Sequence, residues 1–563
     1  MTVRKSREDM MKSMKMPLWG AAAAAMMFTV AACGGGGGGD DDAAVLRRGI
    51  SAKVDTLDPH RSSAKWENIV IADMFTGLMQ SAADNEPVPG MATDWQVSDD
   101  GLTWTFDLRE DAVWSDGEPL TAEDFVYAFR RIQDPELASQ YSSLLYIVKN
   151  ARQVNAGDLP PEELGVRAVD EHTFEITLEE PAPYLLGLLT HYTTYPVPKH
   201  IVEQYGEAWI QPENIEVNGA YKLAYWRTGD QIVSEKNELF YAADDLCFDR
   251  VAYFELEDAA AVERKIEAGD MDINNGFDGG RTKELEKKFP GWVRTTPGLI
   301  TTYWTFNSSQ EPFDDVRVRK ALALSLDREF IVNKVLTPGY VPAYAFVPPK
   351  MSNYNVDRPQ VSFKDLSREE RLAEAKSLLE EAGYGPDNPL TFEFIHRSTD
   401  DNPKAAPVAQ ANWEEIAPWV NAEILRQDTK VLYARLRQSD FEVADGAWVA
   451  DFDDPINFLY LLDSETGQQN YGRYDNPEYD ALLEKASQIR DLDERAEIFA
   501  EAEKLMLEDY PITPMWVQVT KNLVDPDITG WEENAQDNHL SRWLCKPGVE
   551  DGGDEVADAS QEG

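Results

Sequence analysis

The order of apolar and polar residues along the chain predicts alternating strands and helices. Residues 104–108 and 173–178 alternate apolar and polar side chains with a period of two, the pattern of a half-buried strand. Residues 121–131 instead repeat apolar side chains at helical spacing. Thr121 and Asp124 stand at the start of this segment in the order of a capping box, with Asp in place of the usual Glu. The chain therefore interleaves the two kinds of element.

Further helices are predicted in the second half of the chain. Residues 367–382 have a strongly helical, charge-rich pattern, and Gly383 is a favourable residue to end that helix. Residues 477–510 predict two surface helices that end before Pro511. There is no repeat period and no internal apolar run long enough to span a membrane. Residues 549–563 contain six acidic residues and no basic one, a composition typical of a disordered tail.

The N-terminus has the pattern of a secretory signal. Five Lys and Arg residues lie within residues 4–15, and an apolar run of 13 residues follows over residues 18–30. A membrane-spanning helix needs roughly 20 residues. The run leads into Val-Ala-Ala-Cys33, which resembles the lipobox of bacterial lipoproteins, where the cysteine is acylated. We expect a signal peptide over residues 1–33, lipidation of Cys33 and a flexible Gly/Asp tether over residues 34–42. The alternative is an ordinary signal peptide in which the cysteine is coincidental.

Composition narrows the class of protein. The 563 residues include 53 Lys and Arg against 102 Asp and Glu, which gives a net charge of −49. Nucleic-acid-binding proteins depend on Lys and Arg for their phosphate contacts, so this charge excludes that class. The length predicts two or three domains. After residue 33 only Cys247 and Cys545 remain. In an oxidising compartment they either pair or stay as two buried thiols.

The sequence contains no familiar catalytic motif. It lacks the Gly-x-Ser-x-Gly elbow, His-Glu-x-x-His, the Walker loop and a Cys-x-x-Cys pair. Its six histidines are scattered, and no two have the spacing of metal ligands on a helix. Residues 451–455 are acidic but lack the spacing of a calcium loop. We expect no cofactor, no metal and no enzymatic activity, although a carboxylate pair for sugar cleavage would be visible only in the fold.

A series of short motifs carries a family resemblance. In chain order they are Leu57-Asp-Pro-His60, Trp104-Thr-Phe-x-Leu-Arg109, Trp114-Ser-Asp-Gly117, Asp124-Phe-Val-Tyr127, Pro196-Val-Pro-Lys199, Asn218-Gly-Ala-Tyr221, Phe313-x-Asp-Val-Arg-Val-Arg319, Asp327-Arg328, Ile331-Val-Asn-Lys334 and Pro342-Ala-Tyr344. With these motifs the chain resembles the peptide-binding receptors of ABC importers, the peptide/nickel-type solute-binding proteins, from about Thr56 to Trp543. By residue type several motifs are turns, and we expect them to be scaffold rather than ligand contacts.

The resemblance implies an α/β fold of two lobes that enclose a ligand and close about a hinge. Such proteins have three domains, mixed sheets and a discontinuous first domain. Carried onto this chain, the boundaries are residues 43–75, 200–301 and 519–548 for domain I, residues 76–199 for domain II and residues 302–518 for domain III. The crossings between the lobes fall near residues 301–304 and 517–519, which both have strand patterns, as a hinge of paired strands requires.

Asp451 is the candidate ligand-binding residue with the most specific motif. In the family, an aspartate within a Trp-x-Ala-Asp motif pairs with the α-ammonium of the bound peptide, and here that motif is Trp448-Val-Ala-Asp451. One buried carboxylate would then recognise every peptide, because all of them carry this ammonium. Removing one partner of a buried pair typically destabilises it by roughly 3–5 kcal/mol. The alternative is a surface carboxylate of an acidic protein, which we expect for Asp453 and Asp454.

The resemblance also implies main-chain bonds that hold the peptide as an added strand. The matching strands lie near residues 63–65 in one lobe (Ser63, Ala64, Lys65) and residues 447–449 in the other (Ala447, Trp448, Val449). Trp448 is expected to form part of the wall of a side-chain pocket. Tyr141 and Asn275 match positions that face the cleft in the family.

The chain departs from the family pattern in the charge of two residues near the ligand site and in the absence of one disulfide. Asp445 replaces a basic residue that helps hold the C-terminal carboxylate of a short peptide, and Asn402 replaces a histidine of the ligand site. Both changes remove positive charge, so we expect Asp445 to repel a peptide carboxylate. The ligand would then differ in length or carry positive charge of its own. A disulfide of the relatives is absent too, with Ile300 and Val449 at its two positions.

The function implied by the resemblance is that of a lipid-anchored receptor on the extracytoplasmic side of a membrane. It is expected to be a monomer that binds short peptides and delivers them to an ABC permease and its ATPase subunits. Closure around the ligand would be the whole mechanism. One alternative keeps the fold but binds a murein peptide, a cationic small solute or a signalling peptide. The others are an extracytoplasmic hydrolase and a chaperone-like lipoprotein.

Overall fold

The computed structural model describes residues 43–256, 258–336, 338–398 and 401–547. The predicted signal peptide, Cys33, the Gly/Asp tether and the acidic tail all lie outside these described residues. Within the described part, no helix is both long and apolar enough to cross a membrane.

The strands form one large mixed sheet and two small ones. In chain order they are β1 (Val45–Ile50), β2 (Met79–Ser81), β3 (Pro87–Pro89), β4 (Ala92–Val97), β5 (Thr103–Leu108), β6 (Val166–Asp170), β7 (Thr173–Thr177), β8 (Tyr221–Arg227), β9 (Gln231–Lys236), β10 (Arg250–Glu255), β11 (Ile273–Asn275), β12 (Val293–Phe306), β13 (Val341–Pro342), β14 (Leu390–Arg397), β15 (Val420–Gln427), β16 (Val443–Val449) and β17 (Ile512–Val524). The large sheet has the order β15-β14-β16-β12-β17-β11-β1-β10-β9-β8, and β13 pairs with β17. A second sheet has the order β4-β5-β7-β6, and β2 pairs with β3.

Helices are interleaved with these strands along the chain. In order they are α1 (Lys65–Met74), α2 (Ala122–Ile132), α3 (Ala151–Asn155), α4 (Leu185–Leu188), α5 (Lys199–Tyr205), α6 (Ala259–Ala268), α7 (Thr282–Lys288), α8 (Val316–Ser325), α9 (Arg328–Phe330), α10 (Arg368–Glu381), α11 (Asn402–Glu414), α12 (Thr429–Arg437), α13 (Ile456–Leu459), α14 (Pro477–Ser487) and α15 (Leu492–Asp509). The mixture of helices and mixed sheets confirms the α/β class.

The elements predicted from periodicity are confirmed. β5 and β7 cover the two segments with a period of two, and they pair with each other. α2 begins after Thr121, whose backbone N–H donates to the carboxylate of Asp124 at 2.8 Å, as the capping-box pattern predicts. α10 begins with a second capping box, formed by Ser367 and Glu370, and it is followed by Gly383 at φ = +95°. The acidic segment before Pro511 forms α14 and α15, as two separate helices.

The middle of the large sheet is formed by its two longest strands, β12 and β17, which pair antiparallel. They contain the two segments that were expected to connect the lobes. Thr301 of β12 lies opposite Val517 of β17, so these segments are direct neighbours in the sheet. The strand pairing that a hinge needs is therefore present, whereas the domain boundaries stay a prediction.

Most buried apolar side chains fall into two large, separate clusters. One cluster draws its buried residues from 46–273 and 524–544. The other draws them from residues 299–516. Two separate cores are what a molecule of two lobes requires, because each lobe must bury its own apolar surface.

A disulfide joins Cys247 and Cys545, with their Cα atoms 5.3 Å apart. Of the two alternatives that the sequence left open, pairing is therefore correct. Cys545 also exchanges two backbone hydrogen bonds with Thr529, at 2.8 and 3.1 Å. The ammonium of the next residue, Lys546, forms an ion pair with Asp272 at 2.7 Å. The C-terminal segment is thus attached to the rest of the protein by a covalent and an ionic contact, and the backbone bonds fold it onto itself.

Replacing both cysteines (Cys247→Ser with Cys545→Ser) should lower the midpoint of thermal unfolding. A cross-link over 298 residues restricts the unfolded chain, and a disulfide typically contributes about 2–4 kcal/mol to stability. Differential scanning calorimetry with and without a thiol reductant measures the effect. The double variant serves as its own control, because reductant should leave its midpoint unchanged. An unchanged midpoint for the reduced native chain would contradict the prediction.

Candidate functional site

A cavity of about 1390 Å³ lies between the two cores. Its lining comes from Ser63 and residues 140–188 on one side and from residues 433–499 on the other. Pockets for drug-sized ligands typically have about 300–1,000 Å³. The cavity therefore has room for a ligand larger than a typical small metabolite.

The structure brings together only part of the predicted site. Ser63, Tyr141, Ala447, Trp448, Val449 and Asp451 line the cavity. Ala64, Lys65, Asn275 and Asn402 are not among the lining residues.

Asp451 lies two residues after the end of β16 and lines the cavity. Burial raises the pKa of its carboxyl group to about 6. Its side chain forms no hydrogen bond or ion pair with any of the described residues. Its backbone N–H, in contrast, donates to the side-chain oxygen of Asn457 at 3.2 Å. A desolvated carboxylate with a fixed backbone and no partner is suited to receive a cation from a ligand.

The groups that face Asp451 are neutral near pH 7. Burial raises the pKa of Tyr141 to about 12, and the charge of Asp451 adds to this rise. The pKa values of Tyr192 and Tyr460 are raised in the same way. His191, whose ring lies 5.0 Å from that of Tyr141, has a pKa lowered to about 3 by burial. None of these side chains supplies a positive charge for Asp451.

Asn457 is a site residue that the sequence analysis missed. It is buried, and its side-chain oxygen accepts hydrogen bonds from the indole N–H of Trp448, at 2.8 Å, and from the backbone of Asp451. One amide thereby fixes both ends of the Trp-Val-Ala-Asp segment. The only signal in the sequence was an Asn six residues after the Asp, which carries no meaning without the structure.

The end of β16 offers a free backbone edge to the cavity. Residues 447–449 pair with β12 on one side. On the other side β14 pairs with β16 only at Val443 and Ala444. No other described strand occupies the edge beyond Ala444. Val449, with 58% of its surface exposed, lies on this open part. Such an edge can accept an extended backbone as a further strand.

The strand expected at residues 63–65 is not formed. Ala64 has an extended backbone, but α1 begins at Lys65, which ends the extended segment. The ammonium of Lys65 pairs with Asp537 at 2.5 Å. Ser63 is thus the one residue of this segment that reaches the cavity.

Asn275 is placed in the interior of the large sheet. Its amide nitrogen donates to the side-chain oxygen of Asn522 at 3.2 Å, and its oxygen accepts from Arg48 at 3.4 Å. These partners connect β11, β17 and β1, so the observed contacts of Asn275 are those of a residue that stabilises the sheet.

The expectation that Asp445 would repel a ligand is wrong. Its side chain is fully buried and accepts two hydrogen bonds from the guanidinium of Arg397, at 2.8 and 3.0 Å. The amide of Asn402 completes the cluster, with its oxygen 3.0 Å from Arg397 Nε and its nitrogen 3.2 Å from Asp445 Oδ1. The negative charge of Asp445 is therefore neutralised inside the protein. The positive charge that balances it comes from β14, which contains Arg397.

Aromatic and ionic contacts close one part of the cavity. The rings of Tyr184 and Phe452, which come from opposite sides, stack with centroids 5.0 Å apart. The guanidinium of Arg495 lies over the ring of Tyr184 at 5.2 Å and is paired with Asp454 at 2.6 Å. Within the described residues, no group of three or more His, Cys, Asp or Glu side chains is arranged to hold a metal ion.

Comparisons with known proteins identify the family. Residues 86–470 match the family model described as bacterial extracellular solute-binding proteins, family 5 Middle. The periplasmic oligopeptide-binding protein OppA of Salmonella typhimurium is 38% identical over 489 residues, which cover 86% of this chain and 89% of that protein.

Solved structures agree with this result. The unliganded open form of the periplasmic murein tripeptide-binding protein MppA superposes with a TM-score of 0.80, at 34% identity, over 90% of this chain and 97% of that one. OppA of Haemophilus influenzae in complex with the peptide RPPGFSPFR superposes with a TM-score of 0.74, at 33% identity, over 90% and 99%. The resemblance carried by the sequence motifs is confirmed: the chain belongs to the bacterial extracellular solute-binding proteins of family 5, the family of the oligopeptide-binding proteins.

Proposed function

We propose that this protein is the extracytoplasmic receptor of a peptide ABC importer. It binds short peptides in the cavity between its lobes and delivers them to a permease that a separate ATPase drives. The lobes close about the paired strands β12 and β17. No bond of the ligand is broken, and the protein acts as a monomer anchored through lipid on Cys33.

The observation that carries this proposal is the unpaired carboxylate of Asp451. Several buried aspartates of the chain have arginine partners, as Asp445 has Arg397 and Asp454 has Arg495. A buried charge without a partner is unfavourable, so the ligand is the natural source of the missing cation. The α-ammonium of a peptide is a cation that every peptide carries, irrespective of its sequence.

The free edge of β16 supports a second part of the proposal, in which the backbone of the peptide pairs with the protein as an added strand. A peptide whose ammonium meets Asp451 lies next to residues 447–449, where backbone N–H and C=O groups are open to an added strand. Main-chain hydrogen bonds do not depend on side chains, so they give affinity without a strict sequence preference. Trp448, held by Asn457, then forms a wall for a ligand side chain.

Native mass spectrometry of the purified protein tests the function directly. We expect masses of short peptides to be released on denaturation and to be unchanged by incubation with the protein. Hydrolysis of an added peptide would instead support an enzyme. The absence of saturable binding of any peptide would leave a structural or chaperone-like lipoprotein as the better account.

Asp451→Asn should weaken the binding of a free-amine peptide such as trialanine at least about tenfold, or about 1.4 kcal/mol. The neutral amide keeps the shape of the carboxylate but loses its charge. Isothermal titration calorimetry measures both proteins with trialanine and with its N-acetyl form. Asp453→Asn is the matched control, because Asp453 is held by Ser352 and does not line the cavity. Equal affinity of the native protein for the capped and free peptides would refute the role of Asp451.

The affinity for trialanine should have an optimum between about pH 6 and pH 8. Binding uses the ionised form of Asp451, so affinity is lost as the pH falls through its pKa of about 6. At high pH the α-amine of the peptide, with a pKa of roughly 7.7–8.0, loses its proton. We expect affinity at pH 5 to be about tenfold below that at pH 7, since the ionised fraction falls tenfold per unit below the pKa. A flat titration from pH 5 to pH 7 would contradict this, and Asp451→Asn should abolish the acid limb.

Cys33→Ser should release the full-length protein from the membrane of an expressing bacterium. The substitution removes the thiol that would carry the lipid, while the apolar signal segment stays intact. Fractionation of cells followed by immunoblotting compares the two proteins. A membrane fraction that is the same for both would show that Cys33 carries no anchor, without affecting the proposal about peptides.

A further inference from the structure

The two lobes also touch outside the large sheet. We call the lobe with the core of residues 46–273 and 524–544 the first lobe, and the lobe with the core of residues 299–516 the second lobe. Arg490 of the second lobe lies in the connection between α14 and α15. Its guanidinium donates hydrogen bonds to two backbone carbonyls in the turn between β4 and β5 of the first lobe, that of Ser98 at 2.9 Å and that of Asp99. One side chain thus bridges the lobes.

The turn that receives Arg490 is held by its own hydrogen bonds. The backbone N–H of Gly101 donates to the carbonyl of Ser98 at 2.9 Å, and that of Leu102 donates to the carboxylate of Asp100 at 3.0 Å. Gly101 has φ = +76°, which glycine adopts without strain. A β-carbon at this position would lie 3.0 Å from both Nε and Nη2 of Arg490. The guanidinium is therefore packed against the turn as well as bonded to it.

A stacked pair of rings joins the lobes beside this bridge. Phe452, which lies between β16 and α13 of the second lobe, packs against the core of the first lobe. Its ring stacks on that of Tyr184 with centroids 5.0 Å apart and planes inclined by 7°. The guanidinium of Arg495 lies over the same tyrosine ring at 5.2 Å. Pro181, three residues before Tyr184, contacts the turn at Gly101, where a β-carbon would lie 3.2 Å from its own.

These contacts form one continuous set, which we call the latch. On the second lobe its members are Arg490, Arg495 and Phe452, and on the first lobe they are Ser98, Asp99 and Tyr184. Contacts of this kind exist only while the lobes are together, so they favour joined over separated lobes. Arg490 does not line the cavity, so its hydrogen bonds to the turn are independent of what the cavity contains.

We propose that the latch sets the balance between joined and separated lobes independently of the ligand. Its consequence for binding rests on the proposed function, because a receptor that encloses a peptide must keep its lobes together. The apparent dissociation constant equals the intrinsic one divided by the fraction of molecules in the binding-competent conformation. The latch therefore raises the affinity for every peptide by the same factor and adds nothing to selectivity. Arg490 is a positioning residue in this sense.

The variant Arg490→Ala removes the two bonds and leaves the cavity lining intact. Small-angle X-ray scattering of the protein freed of bound peptide should give a larger radius of gyration than that of the native protein, because more molecules have separated lobes. Isothermal titration calorimetry with trialanine, Ala-Phe-Ala and Ala-Ser-Ala should show affinities about fivefold lower for all three, a moderate loss because Arg490 is exposed. The ratios among the three affinities should stay unchanged.

Arg426→Ala is the matched control. Arg426 is exposed on β15 and donates to the backbone carbonyl of Ser398 at 3.0 Å, but donor and acceptor lie in the same lobe and outside the cavity lining. The substitution changes the net charge as Arg490→Ala does. It should leave the radius of gyration and all three affinities as they are in the native protein.

A second variant, Gly101→Asn, approaches the contact from the first lobe. Asparagine tolerates a positive φ better than most residues with a β-carbon, and here that carbon would displace the guanidinium of Arg490. The radius of gyration and the affinities should change in the same direction as in Arg490→Ala. The double variant should lose no more affinity than Arg490→Ala alone, because both changes remove one contact. Thermal unfolding followed by circular dichroism checks that the variants are folded.

The outcomes separate this inference from the proposed function. A radius of gyration or a set of affinities that Arg490→Ala leaves unchanged overturns the latch, as does a gain of affinity. A loss confined to one peptide also overturns it, because Arg490 would then act on the ligand itself. Additive losses in the double variant would show that the two changes act at different places. If no protein of the series binds any peptide, the proposed function fails, while the scattering still decides whether the latch holds the lobes together.

Discussion

The antiparallel pairing of β12 and β17 is the constraint on which the rest of the structure depends. These two strands carry the chain between its two cores, and they are neighbours in the middle of one continuous sheet. The cavity lies between the cores, so the pairing sets the distance across which residues of both sides meet. It also allows motion, because few covalent connections link the two cores, and paired strands can bend without losing their hydrogen bonds.

Ion pairs between buried aspartates and arginines are a second feature of the structure. Asp58, Asp73, Asp445 and Asp454 are all buried, and each has an arginine within ion-pair distance, namely Arg131, Arg48, Arg397 and Arg495. Pairing of this kind is necessary, since an isolated charge is disfavoured in a medium of low polarity. Asp451 has no such partner among the described residues, and it lies in the wall of the cavity between the two cores. The missing partner is the observation on which the proposed role of Asp451 rests.

The aromatic residues around Asp451 affect both the strength of an ion pair with its carboxylate and the pKa of its carboxyl group. Tyr141, Tyr192 and Tyr460 exclude water, which would strengthen the proposed ion pair between Asp451 and a ligand ammonium. The same exclusion raises the pKa of the carboxyl group to about 6, which is still low enough for the ionised form to dominate at neutral pH. Asn457 holds the backbone in place without neutralising the charge. Under the proposed function, the carboxylate is thus held in position for the ammonium of a peptide.

The sequence by itself determined the local elements and the family. Capping residues at Thr121 and Ser367, and periods of two and of 3.6, are short-range signals that hold irrespective of the rest of the chain. The motif Trp448-Val-Ala-Asp451 is likewise a local pattern that can be recognised in the sequence alone. Contacts between distant segments could be settled only by the tertiary structure, because no local pattern encodes them. Arg397 neutralises Asp445 from 48 positions away, Cys247 pairs with Cys545, and Ile300 lies directly opposite Val449 in the sheet.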